Sequence, residues 1–260
     1  MNNPGRQLHA LARSRLRAYG FMAKHQIAAA MGPASNVVAD MERPTSLGWI
    51  YNGQRGSGNA PKKTMADALF LNLWFPRFAE EDMMPRTLSV LRQFPFSAQH
   101  PGISYLGVHP VSWSEPTVLE RRFHPGLDID EAAAIAAEFI HDDYAYLFET
   151  HWDLWLPSGE DESALAPVQV KVIAHGTEFE ERIYQQAGHV QVDFGVDTPF
   201  LYEEQELTST IENRFRANVQ RLIAFTAAVE NNCSISGRVL WSESDENLAR
   251  KLIARLQRVH

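Results

Sequence analysis

The sequence predicts an α+β fold in which a βαββαβ unit is followed by a second α/β half and preceded by a short helical segment. Three observations predict it. Strand-like and helix-like stretches alternate in that order between residues 68 and 155. Two strand candidates, 144–155 and 188–196, alternate apolar and polar residues at period two. The charge also changes sign near Met65: residues 1–64 hold nine Lys/Arg and two Asp/Glu, whereas residues 65–260 hold fifteen and thirty. The organisation read from this is a basic helical segment (1–44), a Gly-rich linker (45–64) and an acidic α+β domain (65–260), with halves at 65–156 and 165–260.

Taken in order, residues 68–75 (ALFLNLWF) read as a buried strand ended by Pro76. A helix over 80–93 follows, its first turn made acidic by Glu80, Glu81 and Asp82. Pro85 is placed in or near that first turn, where it is tolerated. Residues 102–113 and 117–124 read as paired strands joined around Ser114-Glu115-Pro116. Asp128 with Glu131 has capping-box spacing and opens a helix over 129–142. The longest strand candidate, 144–155, completes the βαββαβ order, which resembles the ferredoxin-like split unit. A polar loop from Pro157 to Ala164 separates it from strands near 167–174 and 188–196. Then come a long amphipathic helix over 209–230, a strand over 235–241 and a closing helix over 244–259.

In the basic segment, Leu8, Leu11, Leu16 and Tyr19 follow helical spacing. The stretch Lys24–Arg43 (KHQIAAAMGPASNVVADMER) then places Ala28 and Gly32 where two short helices cross and turn. On I-A-A-A-M-G followed by V-A-D-M-E-R, residues 8–44 resemble the Cro/Xre (phage-repressor) helix-turn-helix family. The resemblance implies a bacterial DNA-binding regulator. Its second helix would enter the major groove, with Ala34, Ser35, Asn36 and Asp40 near base edges and Lys24 and Arg43 near phosphates. The pattern is incomplete: Lys24 stands where the family has Gln, and residues 45–64 are too Gly-rich to supply the family's further helices.

Several classes are excluded or disfavoured. No run of about 18 apolar residues exists, so no membrane partner is expected, and no signal peptide is read at the N-terminus. Cys233 is the single cysteine, which removes an internal disulfide and a thiolate metal cluster. No cofactor is expected, and a cytoplasmic setting fits. Gly53, Gly56 and Gly58 before Lys62-Lys63 lack the spacing and the preceding strand of a phosphate loop. An acidic sheet face also disfavours RNA.

For chemistry, Glu149, His151 and Asp153 share one face of a strand and are the catalytic candidates. His109, His151, His189 and Asp193 are the metal candidates if their strands are adjacent. Side chains two apart on one strand lie about 7 Å apart, so they converge on an ion only with help from neighbours. A solvated polar sheet face explains the same residues without chemistry and is preferred. The expected function is therefore a non-enzymatic interaction or ligand-sensing domain, with a protein partner or homo-oligomer through the acidic domain. A regulator binding double-stranded DNA through residues 24–43 is the second expectation. A metal-dependent hydrolase using the His151 face is the third.

Overall fold

In the computed structural model, residues 67–157, 163–201 and 208–242 are described. The helix-turn-helix reading, with Lys24, Ala34, Ser35, Asn36, Asp40 and Arg43, lies outside the described residues, as does the closing helix over 244–259. Within them run β1 (Ala68–Trp74), α1 (Glu80–Leu91), β2 (Ile103–Pro110), β3 (Leu119–Leu127), α2 (Ile129–Ala137), β4 (Tyr144–Pro157) and β5 (Ser163–His175). After a 3-10 turn at Phe179–Glu181 come α3 (Tyr184–Ala187), β6 (Val190–Val196), α4 (Thr198–Leu201), α5 (Ser209–Asn232) and β7 (Gly237–Ser242).

The strands form one antiparallel sheet in the order β3-β2-β4-β5-β6-β1-β7. This corrects the expected ferredoxin-like unit followed by a second half. The predicted order of elements along 68–155 is present, but β1 pairs with β6 and β7 rather than with the strands that follow it. The polar loop expected to separate two halves lies instead between β4 and β5, whose thirteen-pair ladder runs from Ala145↔His175 to Pro157↔Ser163. That hairpin is the longest pairing in the sheet and joins its two sides.

The physical reason for this pairing is a set of matched apolar rows. Leu106, Phe148, Val172, Val192, Leu71 and Leu240 stand opposite one another across six strands, each no more than 1 % exposed. Val108, Tyr146, Ala174, Val190 and Leu73 form the next row. Because side chains alternate with period two, slipping any strand by one residue would turn its apolar set to the other face. α1, α2 and α5 cover these rows. Phe94, Trp152, Phe194 and Phe225 meet at ring separations of 5.4–6.3 Å.

Local chemistry accounts for the helix ends. Asp128 caps α2 by accepting from Asp130 N at 2.8 Å, and Thr208 caps α5 by accepting from Ile211 N. α2 stops at Ala137, short of the expected residue 142. Beyond it the Tyr146 hydroxyl donates to Phe139 O (2.7 Å) and accepts from His141 N (2.8 Å), turning the chain into β4. Pro85 lies inside α1, further in than expected, on its exposed side.

β4 and β5 continue past the ends of β2 and β6 as a two-stranded arm. Its outer edge is closed by side chains and a loop rather than by another strand. Ser97 N donates to His151 O, Arg221 to Asp153 O, and Asn218 bonds both the N–H and the carbonyl of Trp155.

Candidate functional site

The second face of the sheet carries Gln169 and Lys171 of β5 and Gln191 and Asp193 of β6, beside apolar residues such as Phe70 and Trp241. As expected, β4 turns Tyr146, Phe148, Trp152 and Leu154 inward and leaves Glu149, His151 and Asp153 on the opposite face. That face is not wholly open to water. The segment between β5 and β6 folds over one end of it, where Asn72 Nδ2 donates to Gln186 O (3.1 Å) and Trp74 Nε1 to Tyr184 O (3.0 Å).

Strand register decides which candidate residues meet. Glu149 stands opposite Lys171, and Lys171 opposite Asp193, so the two carboxylates flank a lysine in one row. Cross-strand pairing of this kind stabilises a sheet without any ligand. Burial holds the Asp193 carboxyl above the usual carboxylate range, against the backbone N–H of Gly195 and the charge of Lys171. His109 pairs with Ala145, six residues along β4 from His151, a separation of roughly 20 Å. His189 lies at the same end as His109, because His175 N donates to its carbonyl. The face therefore does not gather Glu149, His151, Asp153, His109 and His189 around one point.

The covered end is built from aromatic rings and neutral histidines. His175 is 1 % exposed, and its Nδ1–H donates to Gly188 O at 3.0 Å. Burial pushes its pKa down to about 4. His189 is held between the rings of Phe78 (4.4 Å) and Tyr184 (4.8 Å). Its Nδ1 accepts from Phe75 N (3.0 Å), and burial lowers its pKa to about 4. These two imidazoles serve as neutral parts of the core.

Next to them, Tyr105 and His109 close over Gly107 in a cluster that strand periodicity alone does not reveal. Tyr105, Gly107 and His109 occupy alternate positions on β2, so all three face the same way. A Cβ on Gly107 would come within 2.9 Å of the Tyr105 ring and hydroxyl and 3.2 Å of His109 Nε2. Both side chains therefore lean over the glycine, and Glu120 stands opposite it on β3. Burial, then the charges of Glu120 and Glu149, raise the Tyr105 pKa. Burial lowers that of His109, whose Nδ1 is buried without a hydrogen-bond partner among the described residues. Arg122 lies over the Tyr105 ring at 5.1 Å.

Trp113 packs on this cluster, its ring 4.7 Å from His109 and 5.2 Å from Phe179. Its loop is held in an uncommon conformation. Val111 has φ 56°, and Glu180, Glu181 and Arg182 have φ 47°, 51° and 67°, all in the left-handed region that disfavours side chains. The two strained segments are tied together. Val111 N donates to Asp143 O and Glu180 N to Val111 O, both at 2.8 Å, and Trp113 N donates to Glu180 Oε2 at 2.8 Å.

Two other groups have local explanations. Cys233 is buried, with its thiol against Ser89 O (3.2 Å) and its pKa raised by burial, which makes it a packing residue. His141, Asp142 and Asp143 bring three donor atoms within 4.8 Å of one another at an exposed turn. There His141 Nδ1 lies 2.5 Å from the Asp143 carboxylate.

The only signal for the cluster in the sequence is Tyr-x-Gly-x-His on a strand, which lets two polar rings close over a glycine. Nothing local joins it to Glu120, Trp113 or Glu180. No protein-family profile, curated protein or solved structure matches this chain.

Proposed function

We propose that the α+β domain is a non-enzymatic interaction or ligand-sensing module that takes a cationic or N–H-bearing group against the Tyr105–His109–Trp113 cluster over Gly107. The observation that carries this reading is the strained clamp over Trp113. A left-handed conformation costs a non-glycine residue about 1–2 kcal/mol. Four such residues in two tied segments support a functional demand on the position of Trp113, because strain of this kind clusters at binding sites. The chemistry of the cluster sets the ligand class. Glu120 and Glu149 supply negative charge, and the faces of Tyr105 and Trp113 suit a cation. Arg122 over Tyr105 already makes such a contact from within the chain.

Titration with N-acetyl-lysine amide, N-acetyl-arginine amide and short basic peptides, followed by NMR, tests this. The Trp113 indole and His109 ring signals are expected to shift. Gly107→Ala, which displaces Tyr105 and His109, should abolish the shifts. Glu120→Gln should weaken binding a few-fold, since a partly exposed charge pair contributes about 0.2–1 kcal/mol. Shifts confined to other residues, or unchanged in Gly107→Ala, would count against binding at this cluster.

The second reading, DNA binding through residues 24–43, is favoured by one observation: nine Lys/Arg against two Asp/Glu in residues 1–64. It predicts duplex binding that falls steeply with salt and is lost on deleting residues 1–64. Salt-insensitive binding, or none, would remove it.

A further inference from the structure

At the far end of the same face, the loop before β2 is built against the β4–β5 arm. Ser97 N donates to His151 O at 2.8 Å, and Ala98 N to Asp153 Oδ2 at 3.0 Å. The Ser97 hydroxyl, on a residue only 1 % exposed, accepts from Gln99 N (3.1 Å) and His100 N (3.2 Å). These four bonds set the backbone of His100 beside His151. The two imidazole rings lie with centres 5.1 Å apart and planes at 39°.

We propose that His100 and His151 form a chelating pair for a borderline divalent cation of the Zn2+ or Co2+ type, with Asp153 beside them. The spacing fits. With metal–nitrogen bonds of about 2.0–2.1 Å and roughly 1.1 Å more to each ring centre, two imidazoles on a tetrahedral ion stand about 5.2 Å apart. His151 Nδ1 and Asp153 Oδ1 are both buried and have no hydrogen-bond partner among the described residues. A cation and its water would satisfy both. Glu149, one step along the face, is held by Gln169 Nε2 at 2.6 Å and adds negative potential without turning toward the pair. Imidazole donors select Zn2+, Co2+ or Ni2+ over Mg2+ and Ca2+.

His141, Asp142 and Asp143 are the only described trio with donor atoms within 4.8 Å of one another. The two imidazoles at the arm are therefore the direct ligands, and Asp153 acts through a metal-bound water. Glu149, opposite Tyr105 and two residues from His151, lies between this site and the cluster over Gly107, but neither proposed ligand belongs to that cluster.

The test uses the full chain, with Zn2+ in calorimetry and Co2+ in visible absorption. One equivalent is expected to bind, with cobalt bands of a nitrogen-ligated ion. His100→Ala, at an exposed loop position, should abolish the bands without changing the thermal melt, and His151→Ala should do the same. Asp153→Asn should weaken affinity about 10–100-fold, as loss of an outer-shell partner does. His141→Ala should leave binding unchanged. Absence of stoichiometric uptake, or uptake retained in His100→Ala, would overturn the proposal. Loss in His141→Ala would move the ion to the other cluster and overturn it equally.

Discussion

Acidification from pH 7 to pH 4 is expected to remove several kcal/mol of stability from the α+β domain, about 3 kcal/mol for each of His175 and His189. Both imidazoles have a folded pKa of about 4, against 6.5 for an unperturbed side chain. Between these values the unfolded chain binds protons that the folded chain refuses. Stability therefore rises with pH across this window, is fully present above about 6.5, and falls as the pH drops toward 4. The structural causes are specific. Protonating His189 would turn its Nδ1 from an acceptor of Phe75 N–H into a donor facing a donor. Protonating His175 would bury a charge beside Phe179 and Trp113, with His189 as the nearest titrating group. Burial lowers the pKa of His109 and His151 as well, which adds to the trend, while the raised Asp193 carboxyl opposes it. Urea unfolding at pH 7.0, 5.5 and 4.5 measures the slope, and histidine ring resonances assign it. His175→Gln and His189→Gln should each flatten the profile. A stability that stays level between pH 7 and 4.5 would contradict the neutral-core assignment.

Asn218→Ala is expected to cost about 3 kcal/mol, because each buried polar group that loses its partner costs roughly 1–3 kcal/mol. Asn218 is fully buried on α5 and makes three hydrogen bonds. It accepts from Trp155 N (2.9 Å) and donates to Trp155 O (2.8 Å) and Pro199 O (2.8 Å). The side-chain amide thus acts as a one-residue strand on the exposed edge of the β4–β5 arm and also fixes the start of α4. Asn218→Asp separates this role from simple packing. It keeps the shape but puts a carboxylate oxygen against two carbonyls, so it should destabilise more at pH 7 than at pH 4.5 relative to Asn218→Ala. Chemical denaturation at both pH values gives the comparison. A cost below about 1 kcal/mol for Asn218→Ala would mean that the arm holds its position without this lock.

Most elements were legible because their signals are local. Asp128 announces α2 through a bond two residues away, and the alternation of Tyr146, Phe148, Trp152 and Leu154 with Glu149, His151 and Asp153 declares which β4 residues face the core. The length of α2 was misread because its end depends on the Tyr146 hydroxyl, which arrives only when β4 has formed. The candidate site was legible in part. Strand alternation marks His109 and His151 with Glu149 and Asp153, but not Glu180 or His100, because Glu180 reaches Trp113 across 67 residues of chain and His100 meets His151 only through a loop folded against the arm.

Local sequence encodes the types of the longer described elements, the inward and outward faces of β4 and β6, and the division of charge near Met65. Periodicity, capping and composition are properties of neighbouring residues. Tertiary structure alone decided that β1 lies between β6 and β7, that the polar loop after β4 turns a hairpin rather than dividing two halves, and which histidines share a place. These outcomes depend on matching whole apolar rows across six strands. No short stretch of chain contains the information that Leu71 belongs opposite Val192 rather than opposite a residue of β2.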